Sequence, residues 1–139
     1  MEPELIERVR RVYESDAMDS GVTKMLELAA PDVEMVPARD WPGLERQVHH
    51  GHDGVRRFFE ALAEGFDTIR FELDDLTDYG NTLVAEVRFR IAGRSSGITG
   101  EQPLAHVLKF RDGLVVRLEA HLDPQDAHAS ARALSSAGP

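Results

Sequence analysis

The spacing of apolar residues changes once along this chain, at Phe66, and that change constrains the fold more than any other feature. Before it, apolar residues recur every three or four positions. After it, they alternate. Ile69, Phe71 and Leu73 interleave with Arg70, Glu72 and Asp74, and Leu83, Ala85, Val87, Phe89 and Ile91 with Glu86, Arg88 and Arg90. Leu104, His106, Leu108 and Phe110 alternate with Lys109 and Arg111, and Val116, Leu118, Ala120 and Leu122 with Arg117, Glu119, His121 and Asp123. Successive side chains on a strand point to opposite faces, so each segment presents one apolar face and one charged face. Tyr79-Gly80-Asn81, a Gly/Ser-rich stretch and Asp112-Gly113 separate the segments, and Asp-Gly is a strong hairpin signal. The pattern predicts a meander of long antiparallel strands.

The first half reads differently. Leu5, Ile6, Val9, Val12 and Tyr13 predict a helix over residues 4–18, and Met25, Leu26 and Leu28 a second over 22–29, closed by Pro31 and Asp32. A short strand over 33–36 and a long loop over 37–51 follow. Asp53-Gly54 opens a third helix with Val55, Phe58, Phe59, Leu62 and Phe66 on one side. At the far end, Asp123 and Pro124 form the cap and first turn of a short last helix, with Ser135 to Pro139 expected to fray. Helices first and strands later is an α+β order, with the helices expected on one side of the sheet. One domain over residues 1–139 accommodates it, since 139 residues are too few for two ordinary cores.

Composition narrows the function classes. There are no cysteines, which excludes disulfides, thiolate catalysis and Cys-based zinc sites. The net charge is −9, from 25 acidic and 16 basic residues, which argues against binding nucleic acid through phosphates. The three glycines of Gly93 to Gly100 have the wrong spacing for a dinucleotide loop. No apolar run is long enough to span a bilayer, and the acidic N-terminus does not read as a secretory signal, so a cytoplasmic location is the expectation.

His106 is the leading candidate for chemistry. It shares the apolar face with Leu104, Leu108 and Phe110, and a buried histidine can act as acid, base or hydrogen-bond donor near neutral pH. A core histidine satisfied by a neighbour fits the same position. Tyr13, on the apolar side of the first helix, could turn its hydroxyl inward as a helper. Met35, Phe58, Phe59, Leu108, Leu118 and Leu122 are candidate pocket walls, and Trp41 a candidate cover in the long loop. His49, His50 and His52 beside Asp53 lack the spacing of a closed metal site, so no metal is expected. The charged strand face is either solvated or a two-fold homodimer contact, which arginine favours.

Leu28-Ala-Ala-Pro-Asp32-Val-Glu, Asp40-Trp41-Pro42 and Gly51-His-Asp-Gly-Val55-Arg-Arg-Phe58-Phe59 resemble the front half of SnoaL-like proteins. Ser96-Gly97, Ala105-His106-Val107, Arg111-Asp112-Gly113-Leu-Val-Val-Arg117 and Asp123 resemble the back half. SnoaL-like proteins belong to the nuclear transport factor 2-like superfamily, with ketosteroid isomerases and limonene epoxide hydrolases. The resemblance implies a cone: a curved antiparallel sheet wrapped around three N-terminal helices, with a short C-terminal helix and no cofactor. It also implies a histidine like His106 in the cyclases, and a two-fold contact through the outer sheet face.

Three departures follow from the resemblance. Met35 stands where the isomerases carry their aspartate base. Arg88 and Arg90 fall on the wrong face for an epoxide hydrolase. Ala120 stands at the inward position nearest the cyclase acid, with Glu119 and Asp123 pointing away unless a bulge re-aims them. Two readings stay open: a cofactor-independent cyclase, isomerase or hydrolase acting on a small apolar or cyclic molecule, and a non-catalytic ligand-binding or scaffold protein.

Overall fold

The computed structural model describes residues 1–14, 21–38, 48–64, 66–93 and 99–136. The elements are α1 (Pro3–Glu14), α2 (Val22–Leu28), β1 (Ala29–Val36), β2 (His49–His50), α3 (Gly51–Glu64), β3 (Phe66–Asp78), β4 (Thr82–Gly93), β5 (Thr99–Arg111), β6 (Leu114–His121) and α4 (Pro124–Ser136). The strands form one curved, unclosed sheet in the order β2-β1-β6-β5-β4-β3. Neighbours are antiparallel except β1 and β6, which run parallel. No helix among the described residues is long and apolar enough to cross a membrane.

Bulges curve the sheet. A register shift between Leu73 and Asp75 returns Leu76 to the inner face of β3, opposite Ala85. A second, between Lys109 and Phe110, sits opposite Val116. It puts Val115 rather than Val116 into the core, which corrects the simple alternation expected for β6. Leu118 and Ala120 keep the inward face as expected. The inner face packs on α1, α2 and α3 through Val9, Leu26, Val33, Val55, Phe58, Leu83 and Phe89.

The structure differs from the sequence reading in four further places. β1 begins at Ala29, not Val33, because a register shift absorbs Pro31, which has no N–H to give a ladder, and leaves Pro31 and Asp32 exposed. Part of the expected loop is β2, pairing His49 with Met35 and His50 with Glu34, and α3 starts at Gly51. The helices do not all lie on one side. The outer face of β4 and β5 carries Val84, Ala105 and Val107 among its charges, and α4 covers them with Ala127 and Ala131. Helix α4 also runs on to Ser136, where fraying was expected from Ser135, and the Ser135 hydroxyl bonds the Tyr79 carbonyl. Asp123 is its cap: Oδ1 accepts from the Gln125 N–H at 2.9 Å.

The Asp112-Gly113 turn is the two-residue hairpin that the sequence predicts, with Arg111 paired to Leu114. Both turn residues have positive φ, 55° and 80°. Gly113→Val should therefore lose about 1–2 kcal/mol in urea unfolding, although open space surrounds the site. A change below a few tenths would mean that the turn relaxes to another type.

Candidate active site in the cone

His106 projects inward from β5, paired with Ala85 on β4 and Ala120 on β6. Two alanines beside it leave room around the ring. Phe71 of β3 meets the imidazole edge-on at 5.4 Å between centroids. Tyr13 of α1 lies over the ring at 5.7 Å, and its hydroxyl is 2.7 Å from Nδ1. His106 is 8% exposed.

Burial sets the protonation state of this pair. It lowers the His106 pKa to about 4, with the charge of His121 adding to the effect, so the imidazole is neutral at pH 7. Burial also raises the Tyr13 pKa, so the phenol keeps its proton. Among the described residues Nδ1 is the one hydrogen-bond partner of the Tyr13 hydroxyl; where the phenol donates, Nδ1 accepts. The imidazole proton then sits on Nε2. Nε2 has no partner among the described residues, yet every fully buried side-chain polar atom there has one. Nε2 therefore opens onto the space that His106 lines.

That space has two lobes, both almost wholly apolar. One encloses about 40 Å³ against Met35, Pro37, Ala38, Phe58, Leu104 and Ala120. The other encloses about 40 Å³ against Val12, Tyr13, Val22, Met25 and Leu118. Phe59, Phe71 and His106 belong to both. Of the residues singled out in the sequence, His106, Tyr13, Met35, Phe58, Phe59 and Leu118 thus come together. Leu108 sits deeper in the core, paired with Leu83 and Leu118. Trp41 lies outside the described residues. Leu122 lines a separate polar cleft.

This cleft, of about 540 Å³, lies at the edge of β6 beyond the end of β1 and shares Pro37 and Ala120 with the first lobe. Its polar wall was not anticipated. Glu119 does point to the outer face, as alternation predicts, but it is 6% exposed and not solvated. It accepts from Arg117 Nε at 2.6 Å, His121 Nε2 at 2.9 Å and Ser130 Oγ at 2.5 Å. Arg117 also reaches Glu34 at 3.1 Å. Burial pushes the Glu119 pKa up, but these hydrogen bonds and the Arg117 charge outweigh it and hold the pKa at about 2.

The histidines of the β2–α3 region serve separate contacts. The His49 ring lies against Phe58 at 5.2 Å, and His52 Nε2 bonds the Ala29 carbonyl at 3.0 Å. Among the described residues no group of three His, Cys, Asp or Glu could hold a metal ion.

Similar structures share this cone. A nuclear transport factor 2-like protein of unknown function from Burkholderia pseudomallei is 24% identical, with a TM-score of 0.76 over 90% of this chain and 95% of its own. TerC, co-crystallised with polyporic acid, is 23% identical, with a TM-score of 0.73 over 90% and 95%. A Jannaschia protein described as a SnoaL-like polyketide cyclase is 19% identical, with a TM-score of 0.74 over 96% of each chain. No curated protein matches the chain significantly. The SnoaL-like domain matches residues 9–118, from α1 through most of β6, and the chain belongs to that family.

Proposed function

We propose that the cone holds a small, mostly apolar molecule and that His106 donates its Nε2 hydrogen to an oxygen of that molecule. The observation that carries this reading is the Tyr13–His106 bond, which, with the phenol donating, leaves one imidazole donor facing apolar volume. A donor in such surroundings polarises a carbonyl more strongly than it would in water. An imidazole with a pKa of about 4 is a poor base at neutral pH, so the chemistry it supports is oxygen polarisation rather than proton abstraction. A cofactor-independent cyclase- or isomerase-type reaction can be assisted in this way. The second reading, binding without turnover, is favoured by Met35 and Ala120, which line the pocket where a second acid/base group would stand. TerC, crystallised with polyporic acid, makes that compound a natural first probe.

The test is calorimetric titration with polyporic acid and a panel of cyclic ketones, read alongside fluorescence of Trp41, the one tryptophan. His106→Leu should weaken binding by about tenfold, as loss of one buried hydrogen bond implies. His106→Gln, which keeps an N–H, should lose less. Equal affinity in His106→Leu, or nitrogen chemical shifts placing the proton on Nδ1, would overturn the reading.

We further infer a homodimer through the part of the charged sheet face that α4 leaves open. There, Arg88 pairs with Glu72 at 3.2 Å and Asp74 at 3.1 Å, and Arg90 with Glu72 and Glu101 at 3.2 Å each. Arg88→Glu would thus disturb the single chain as well, so the exposed Arg111→Glu is the cleaner interface variant. Light scattering that finds only a 15.5 kDa species would rule the dimer out.

A further inference from the structure

The polar cleft holds a second imidazole that the cone does not use. β1 pairs with β6 as far as Val36 opposite Glu119, and Pro37, with no N–H for the ladder, follows. β6 runs on to His121, so its end stands clear of β1 and faces the cleft. His121 pairs with Ala105, one residue before His106, and alternation sets its ring on the outer face of the sheet, away from the cone.

Three side chains converge there. Arg117 Nε meets one Glu119 oxygen at 2.6 Å and His121 Nε2 meets the other at 2.9 Å, so the guanidinium and the imidazole stand side by side. The Glu119 carboxylate is ionised at neutral pH and can only accept. The proton of a neutral His121 ring therefore sits on Nε2, and Nδ1 carries a lone pair. Arg117 spends Nε on Glu119 and Nη1 on Glu34, which leaves Nη2. Neither Nδ1 nor Nη2 has a partner among the described residues, while every fully buried side-chain polar atom there has one, so both are open to solvent. Both residues line the cleft. A lone pair beside a cationic N–H donor suits ester hydrolysis: the first takes a proton from water, and the second stabilises the oxyanion. Asp123 and Asp126, exposed on the same wall, disfavour an anionic substrate.

We propose that the cleft is a second catalytic site, an esterase for small neutral esters or lactones, with His121 as general base, Arg117 as oxyanion donor and Glu119 as positioning residue. His121 Nδ1 takes a proton from a water whose oxygen bonds to the ester carbonyl carbon. The carbonyl electron pair moves onto its oxygen, beside Arg117 Nη2. Collapse of this intermediate breaks the bond to the alkoxy oxygen, which takes the proton back from His121. The products are an acid and an alcohol, and water is the one co-reactant. The site does not depend on the reading of His106.

The probe is p-nitrophenyl acetate at about pH 8, where an ordinary imidazole is neutral. Wild-type protein should release nitrophenolate over many turnovers, faster than buffer alone. His121→Gln should lose about 10²-fold in kcat/KM, as removal of a general base implies. His52→Gln, which changes a histidine on α3, should lose nothing. Glu119→Gln tests the positioning. Arg117 only donates, so it holds the amide oxygen and turns the amide N–H2 towards His121. Nε2 must then accept, the proton moves to Nδ1, and the base is lost. Turnover should fall with it, and nitrogen chemical shifts should report the exchanged tautomer, which a merely structural carboxylate would not set. Thermal melts check that the variants fold; if one does not, the wild-type rate and the wild-type nitrogen shifts still decide.

A wild-type rate equal to that of buffer, release that stops at one equivalent, or equal rates in wild type and His121→Gln would overturn the proposal. So would nitrogen shifts placing the wild-type His121 proton on Nδ1. Full turnover in Glu119→Gln would overturn the role of Glu119.

Discussion

Acidification from about pH 7 to about pH 4 is expected to remove about 3 kcal/mol of folding stability through His106 alone. In the unfolded chain its imidazole titrates near the ordinary value of 6.5, and in the folded chain at about 4. The folded pKa is depressed, so below 6.5 the unfolded state takes up the proton first. The penalty grows as pH falls, and it levels off once the folded state also protonates near 4. Burial is the main cause, and the charge of His121 adds to it. Urea unfolding across this range measures the loss. His49 is also shifted downward, so the decisive comparison is between wild type and His106→Gln. The variant should lose markedly less stability on acidification. Equal pH slopes would show that the His106 ring reaches solvent or already carries a proton in the folded state, and the neutral-donor chemistry would fall with it.

Much of this arrangement was legible because strand alternation is a local property. The period of two places His106 beside Leu104 and Leu108 without knowledge of the partner strands, and the structure keeps it there. The partner of Nδ1 was legible only as a candidate. Tyr13 lies 93 residues away, and nothing local to either residue says that α1 would set its hydroxyl on that nitrogen. Bulges defeat alternation for a physical reason: one extra residue inverts every later side chain, and the insertion leaves little trace in composition. Val115 and Val116 are both apolar, so the shift between them was invisible.

The covered outer face was missed for another reason. Helix α4 packs through alanines, whose weak hydrophobic signal does not mark an apolar stripe. The answering signal was Val84, Ala105 and Val107 among the charges of β4 and β5. Glu119 follows from that omission. With α4 left off the outer face, its carboxylate is a solvated charge; with α4 in place, it is the centre of a buried network.

That network makes Glu119 the other residue whose loss should be felt strongly. Glu119→Leu is expected to destabilise the fold by about 2–3 kcal/mol near neutral pH. Removing the carboxylate leaves the Arg117 guanidinium, the His121 ring and the Ser130 hydroxyl without their shared acceptor. The loss should stay below that of a fully buried pair, because Arg117 is 34% exposed and keeps Glu34 at 3.1 Å. The acid dependence has the same sign as that of His106 but another cause: burial disfavours the charged imidazole, whereas hydrogen bonds and Arg117 favour the charged carboxylate. The folded pKa of about 2 lies below the ordinary value of 4.5, so the stabilisation is full above 4.5 and is lost as pH falls through 2. Glu119→Gln should retain a hydrogen-bond acceptor at neutral pH but lack this acid transition. The two windows meet near pH 4, so His106→Gln should flatten the upper part of the acid curve and Glu119→Gln the lower part. A Glu119→Leu protein within about 0.5 kcal/mol of wild type would mean that Arg117 and His121 find water as readily as they find the carboxylate. In that case the polar wall between β6 and α4 would be solvated, and it would not hold β6 against the pocket.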